Sequence, residues 1–182
     1  MEQPVATSMA NIIGTIGLLV KAKDYKAKRF ILSSSSSIYG GAKKLPTKES
    51  ENFPDPKSPY AGQKYTDEIF CRMFSSLFGL DTICLRYFNV FGPGQYGDSP
   101  YSTVISAWLE TLYGKTKNKP FIEGDGKQSR DFCYVDNVVM ANILAMQSSR
   151  RFNGEGFNIA HGECTSVNEV KHLIERLRGN KI

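Results

Sequence analysis

Ile31-Leu32-Ser33-Ser34-Ser35-Ser36-Ser37-Ile38-Tyr39-Gly40 sets five serines in a row between aliphatic residues and a Tyr-Gly step. By composition alone the run reads as a loop or flexible joint, because serine tracts usually mark such segments. Its flanks point the other way. Arg29-Phe30-Ile31-Leu32 enters the run as a short apolar strand, Ile38-Tyr39 continues it, and Gly40-Gly41 supplies a turn. A slack linker and a strand end that presents one hydroxyl are the two readings, and the rest of the chain decides between them.

Working outward, hydrophobic period and cap signals predict helices over about 8–23, 59–78, 103–115, 136–149 and 166–178. Strands are expected over 28–35, 81–88, 120–123 and 156–160, with an irregular proline-bearing segment after the serines and a glycine-rich loop after 88. Helices and strands alternating in this way imply an α/β fold with a mostly parallel sheet. Thr82-Ile83-Cys84-Leu85-Arg86-Tyr87-Phe88 is nearly continuous in apolar character, as expected of a strand covered on both faces. No internal repeat and no linker between domains is evident.

The chain has 182 residues, 41% of them hydrophobic and 23% charged, which suits a globular domain with a real core. Its net charge of +5 is spread along the chain, so an anionic small ligand is as compatible with it as nucleic acid. Cys71, Cys84, Cys133 and Cys164 are widely spaced, and only His161 and His172 could join them, which supports neither a zinc site nor a disulfide framework. Reduced thiols in a cytosol fit best. The apolar stretch Ala10–Val20 has Glu2 ahead of it and no basic residue, unlike a signal peptide, and it is too short to span a membrane. A buried amphipathic helix in a soluble, cytoplasmic protein is the expectation.

The irregular segment ends in Ser58-Pro-Tyr-Ala-Gly-Gln-Lys64-Tyr-Thr-Asp-Glu68. Ser58 is a good N-cap and Pro59 a good first helical residue, so Tyr60 falls in the first turn and Lys64, four residues on, shares its face. A phenol has a reference pKa near 10, and a nearby ammonium and the positive end of a helix both favour its ionised form. Tyr-x-x-x-Lys at a helix start is thus a physically sensible general base, although the bare pattern arises readily by chance among surface residues.

Counted back from Tyr39, the serine four residues earlier is Ser35, and 25 residues separate it from Tyr60. A strand-end hydroxyl followed at that distance by Tyr and Lys resembles the active site of the extended short-chain dehydrogenase/reductase family, in its NAD-dependent sugar epimerase/dehydratase branch. Asn11-Ile-Ile-Gly14-Thr15 is similar to that family's helix before the serine strand. Leu85-Arg-Tyr-Phe-Asn89-Val-Phe-Gly-Pro-Gly94 is similar to its strand-to-substrate loop, and Gly124-Asp-Gly-Lys-Gln-Ser-Arg130-Asp131-Phe to its nucleotide-sugar segment. The related dehydratases and decarboxylases carry an acidic residue just after the catalytic hydroxyl; Ser36-Ser37-Ile38 offers none. The serine run together with Arg130-Asp-Phe-Cys-Tyr-Val135 looks most like a UDP-hexose 4-epimerase, with the UDP-N-acetylglucosamine and UDP-glucuronate enzymes in view and the sugar left open.

The resemblance implies a partial Rossmann-like parallel sheet in residues 1–90, carrying the catalytic residues. It implies a small, mainly nucleotide-sugar-binding part in 91–182, some segments of which return to the sheet. It further implies NAD as cofactor and a UDP-sugar as substrate, with no nucleic-acid or membrane partner, and a homodimer built through the Tyr60 helix. Tyr60 would take the proton of the sugar 4-hydroxyl, Lys64 would hold the nicotinamide ribose and favour the Tyr60 phenolate, and Ser35 would hydrogen-bond the reacting oxygen. Tyr87 falls among the cofactor contacts. Asn89 and Arg130 would meet the diphosphate, where a guanidinium suits a bidentate charge-assisted contact, and Thr103, Val104, Ile122 and Glu123 lie where the nucleotide is held.

Gly92-Pro-Gly94-Gln-Tyr-Gly97 satisfies the dinucleotide fingerprint by pattern, but Pro93 lacks the N–H a phosphate cradle uses, and Asp98-Ser99-Pro100 continues a loop where a helix should open. The family's own fingerprint belongs about a hundred residues before the serine strand. The strands and glycine loop that hold the rest of NAD are therefore expected to be missing before Met1, and the segment that closes the sugar pocket to be missing after Ile182. A non-catalytic remnant that binds a nucleotide sugar or a protein partner is the alternative reading.

Overall fold

The serine run resolves as a strand and a tight turn in the computed structural model, which describes residues 3–41, 43–97, 103–113, 121–122 and 124–179. Strand β1 (Phe30–Ser35) ends within the run, and Ser36–Tyr39 form one 3₁₀ turn. The turn closes on Gly40 at φ 61°, where a Cβ would sit 1.9 Å from the carbonyl oxygen of Asp55, so only glycine fits.

Before β1 lies a helical run made of α1 (Pro4–Ser8), a π-helical turn (Met9–Ile13) and α2 (Gly14–Asp24). It corrects two expectations. The helix begins four residues earlier than the apolar period indicated, and at 21 residues Pro4–Asp24 is long and apolar enough, by length and composition, to cross a membrane.

After β1 come α3 (Pro59–Phe78), β2 (Thr82–Tyr87), β3 (Asn89–Phe91), α4 (Val104–Leu112), β4 (Ser129–Arg130) and β5 (Phe132–Tyr134). The chain continues with α5 (Val135–Gln147), β6 (Glu155–Ile159), β7 (Thr165–Ser166) and α6 (Val167–Arg178). Local chemistry fixes the ends of α3: the Ser58 hydroxyl accepts the Ala61 N–H, Pro59 opens the first turn, and Gly79 closes the last at φ 70°. Helix α6 starts with a reciprocal capping box between Ser166 and Glu169. Residues 120 and 123 of the expected strand 120–123 lie outside the described residues, and 121 and 122 have no strand pairing.

The chain divides into two compact units. Unit 1, residues 1–88 and 139–159, holds a parallel sheet ordered β1-β2-β6. Strand β2 is central and buried from Thr82 to Arg86, with Ser35 opposite Tyr87 at the carboxyl end. Leu32 and Cys84 pack with Leu19 of α2 and with Cys71 and Phe74 of α3 on one face of the sheet. Ile83 and Leu85 pack with Ala145 of α5 on the other. Unit 2, residues 89–138 and 160–182, contains the parallel pair β3-β5 and the antiparallel pair β4-β7. Its core is Trp108 of α4 with Val167, Val170 and Ile174 of α6.

A buried polar network crosses the α3 face of the first sheet. Arg86 donates from Nε and Nη2 to the two oxygens of Glu68 at 2.9 and 2.8 Å, and Ser34 donates to the same carboxylate at 2.6 Å. Arg86 Nη1 donates to the Tyr39 hydroxyl at 2.7 Å, which in turn donates to Asn158 Oδ1. Burial opposes the Arg86 charge, but the Glu68 hydrogen bonds outweigh it and raise the guanidinium pKa. Glu68→Ala strands that cation, so stability in urea denaturation should fall by about 3–5 kcal/mol. Pairing Glu68→Leu with Arg86→Met should recover most of the loss, and a Glu68→Ala cost below about 1 kcal/mol would contradict the role given to the pair.

Candidate active site

The cap at Ser58 sets Tyr60 as the second residue of α3. Its side chain is 45% exposed, and its hydroxyl makes no hydrogen bond among the described residues. Lys64, one turn on, is 18% exposed at its side chain, and its Nζ has one charged neighbour, Asp67 Oδ2 at 4.0 Å. The phenol and the ammonium are thus presented on one helical face without being consumed by the fold.

Two residues that the sequence reading passed over hold this helix from behind. Gln63 is buried: its Nε2 donates to the hydroxyls of Thr7 and Ser8 at 3.0 Å, and its Oε1 accepts from Asn11 Nδ2 at 2.7 Å. Those bonds fasten the stretch between Tyr60 and Lys64 to α1 and the π-helical turn. Asp67 is fully buried, and neither carboxylate oxygen has a hydrogen-bond partner. Burial pushes its carboxyl up from 3.8 to about 6, against the pull of Lys64 and the Thr15 hydroxyl. The signal was the spacing itself. Asn11 and Thr15 lie four apart on one helix, as do Gln63 and Asp67 on the other, which places each pair on a single face.

Ser35 is the last residue of β1, and its hydroxyl accepts the Ser37 N–H at 3.2 Å as cap of the 3₁₀ turn. Ser34 points to Glu68 on the α3 side, while Ser33 Oγ meets the Tyr87 hydroxyl at 3.3 Å on the other. Ser35 follows Ser33 in the alternation and ends at the carboxyl edge of the sheet, where ligands of open α/β sheets sit. No hydrogen bond joins Ser35 to Tyr60 among the described residues, and such contacts commonly tighten only when substrate is bound. The Tyr87 ring packs against the Ile83, Leu85 and Ala145 cluster, and its hydroxyl also accepts from Asn142 Nδ2 at 2.8 Å.

Unit 2 carries the other candidates and is described by itself. Asn89 opens β3, and its Nδ2 donates to the Asp131 carbonyl at 2.9 Å, which ties β3 to the entry of β5. Arg130 ends β4 with an exposed side chain whose Nη1 donates to the Ser129 carbonyl, and it makes no ion pair among the described residues. Asp131 instead accepts the His161 and Gly162 N–H groups at 2.7 Å, which leaves the guanidinium to other anions. Thr103 precedes α4 and donates to Gln95 Oε1 at 3.0 Å. Val104 and Ile122 are partly buried and pack against the Trp108 cluster. Glu123 lies outside the described residues.

For a dinucleotide cofactor the fit is partial. The Tyr60 hydroxyl, without a hydrogen bond among the described residues, and the Lys64 ammonium, with Asp67 at 4.0 Å, are of a kind that suits the hydroxyls of a nicotinamide ribose. Gly92, by contrast, packs on Val135, Pro93 has no N–H to offer a phosphate, and Pro93–Gly97 contain no helical turn. Among the described residues, no group of three or more His, Cys, Asp or Glu side chains is placed to hold a metal ion.

Residues 1–160 match the NAD dependent epimerase/dehydratase family. A putative UDP-glucose 4-epimerase of Methanocaldococcus jannaschii is 36% identical over 178 residues, 96% of this chain and 55% of that protein. Among solved structures, a UDP-N-acetylglucosamine 4-epimerase from Methanobrevibacter ruminantium M1, in complex with UDP-N-acetylmuramic acid, superposes with a TM-score of 0.91 at 39% identity. The match covers 98% of this chain and 56% of that one. A UDP-glucuronic acid 4-epimerase from Bacillus cereus, in complex with UDP-glucuronic acid and NAD, does so at 0.84 and 30%, over 95% and 53%. The chain spans about half the length of the relatives it matches.

The Asp67 burial has a measurable pH signature. In the unfolded chain this carboxyl titrates near 3.8 and in the fold near 6, so the folded state holds the extra proton between those values. The stability it confers is full below the lower value and is lost as pH rises through the upper one. At about 1.4 kcal/mol per pH unit, the gap between 3.8 and about 6 gives at most roughly 3 kcal/mol. Asp67→Asn should therefore be more stable than the parent above pH 6, with the advantage shrinking toward pH 4 in denaturant titrations. A stability difference that does not vary with pH would contradict the assignment.

Proposed function

Because the chain belongs to the NAD dependent epimerase/dehydratase family, we propose that it is the catalytic and sugar-nucleotide-binding part of a UDP-hexose 4-epimerase. The observation that carries this reading is the pairing of an unpartnered Tyr60 with Lys64 at the capped start of α3, packed on the strand that ends in Ser35. NAD, when bound, would supply the acceptor for hydride from sugar C4 and the donor for its return. Tyr60 removes the proton of the 4-hydroxyl and returns it after the 4-keto sugar has turned over. Lys64 holds the ribose and favours the Tyr60 phenolate, and Ser35 donates to the reacting oxygen. Tyr87, at the carboxyl end of β2, is assigned to the cofactor side.

In unit 2 the exposed Arg130 takes the diphosphate, aided by the second N–H of the Asn89 amide, with Thr103, Val104 and the backbone of Ile122 assigned to the nucleotide. The full reaction also requires a phosphate-binding glycine turn, which is not found among the described residues. The second reading, a sugar-nucleotide binder without turnover, rests on that point. Calorimetry with NAD and with UDP-glucose, UDP-N-acetylglucosamine and UDP-glucuronate separates the two: NAD binding supports the enzyme, and UDP-sugar binding alone supports the binder. Binding of none of them contradicts both.

Ile69, Met73 and Leu77 form an exposed apolar stripe at i, i+4 and i+8 on α3, and Val5, Met9 and Ile13 form another on the preceding helical run. We read the stripes as subunit contacts of a cytoplasmic homodimer, not as a membrane face. Met73→Glu combined with Leu77→Glu should convert a dimer to a monomer in sedimentation; an unaltered dimer would remove α3 from the interface.

Two substitutions test the site in a protein that binds NAD, by itself or with a complementing cofactor-binding piece. Tyr60→Phe should leave UDP-sugar affinity within about twofold and lower turnover by roughly 10²- to 10⁴-fold, as expected for loss of a general base. Arg130→Ala should weaken UDP-sugar binding by about tenfold or more, since a charge-assisted hydrogen bond contributes roughly 1.5–3 kcal/mol. Near-normal turnover in the first, or unchanged affinity in the second, would overturn the corresponding role.

A further inference from the structure

One turn beyond Lys64, α3 carries an acid that the fold does not satisfy. Asp67 has no exposed surface, neither of its oxygens accepts a hydrogen bond, and the Thr15 hydroxyl of α2 lies close without completing one. A buried carboxylate with no donor is costly, so a cation that reaches it is strongly held.

The charged groups on the elements packed against α3 are few. Helix α1, the π-helical turn, β1 and the 3₁₀ turn carry none. Lys21, Lys23 and Asp24 lie in the last turns of α2, with Lys23 paired to Asp24. Arg86 of β2 is bound by Glu68. On α3 itself Arg72 lies over the Tyr65 ring. Among the described residues, Lys64, at 4.0 Å and on the same face, is the cation left to answer Asp67.

We propose that Asp67 is a positioning residue for Lys64: its carboxylate anchors the ammonium from the buried side of α3, and loss of that negative charge releases Lys64 outward. The anchoring itself needs no cofactor. Its catalytic consequence rests on the role given to Lys64 above. With Asp67 ionised, part of the lysine's charge is answered inside the protein and less of it is felt at the ribose and at Tyr60. With Asp67 protonated, the full charge faces outward. Because this carboxyl is held near 6, the change falls within the pH range in which the protein can be assayed.

The test reads Lys64 directly in the chain as it stands. Lysines are ¹³C-dimethylated, which keeps their charge, and the Lys64 methyl resonance is identified by its loss in Lys64→Arg. Between pH 5 and 8 that resonance should show a step with a midpoint near 6, and Asp67→Asn should abolish the step. A flat course in the parent protein would overturn the proposal without any variant, which covers the case in which Asp67→Asn fails to fold. The same step surviving in Asp67→Asn would overturn it too. A preserved step with no NAD binding leaves the anchor intact and removes the epimerase reading; a flat course in a protein that does bind NAD does the reverse.

Discussion

The Arg86–Glu68 pair is the constraint on which the first unit depends. An arginine in the middle of a buried central strand is admissible only if a carboxylate meets it in bidentate geometry, and Glu68 does so from α3. Ser34 adds a third donor to that carboxylate from β1, and Tyr39 takes the third arm of the guanidinium from the 3₁₀ turn. Asn158 extends the chain of donors to β6, and its own amide and backbone N–H reach the Thr47 carbonyl and Glu49. One buried charge thereby fixes the rotation of α3 on the sheet, the end of β1 and the path of the irregular segment. Because Tyr60 and Lys64 sit two turns and one turn before Glu68 on the same helix, their aim follows from it.

Helix α3, which carries Tyr60 and Lys64, is held on two sides by different means. Toward the sheet it is packed by Cys71 and Phe74 and locked by Glu68. Toward the preceding helical run it is held by the Gln63 bonds, and there it also buries Asp67 with no hydrogen bond. A satisfied buried polar group rigidifies, whereas an unsatisfied one stores free energy that a charge or a proton can release. Placing the unsatisfied group three residues from Lys64 couples the stability of the helix to the state of its lysine.

What could be read in the sequence was what local chemistry decides. The start of α3 was legible because Ser58, Pro59 and the apolar period all act within one turn, and the Tyr60–Lys64 adjacency follows from helix geometry alone. The serine run was legible only through its flanks. Strands β3, β4, β5 and β7 escaped because two or three residues carry no period and pair only with distant partners. The early start at Pro4 escaped because Thr7 and Ser8 look like a cap, whereas both serve Gln63 from inside a continuous helix. Arg86 reads as one residue of an apolar strand, because its partner Glu68 lies 18 residues away. Gln63 and Asp67 look like surface positions until a second helix covers them. On the site side, Asn89 stands in the second unit with its amide held by the Asp131 carbonyl, and the Asp131 carboxylate takes the His161 and Gly162 N–H groups, a role for that acid that its neighbours in sequence do not disclose.

The central claim is that Tyr60, Lys64 and Ser35 serve a reaction in which hydride leaves sugar C4 and returns to it. The most direct measurement supplies NAD, with a complementing cofactor-binding piece where NAD binding requires one, and offers UDP-glucose, UDP-N-acetylglucosamine and UDP-glucuronate, each deuterated at C4, in ordinary water. The account predicts conversion of at least one to its C4 epimer with the deuterium still on C4. Loss of the label to solvent, or a dehydrated keto sugar as product, would contradict it.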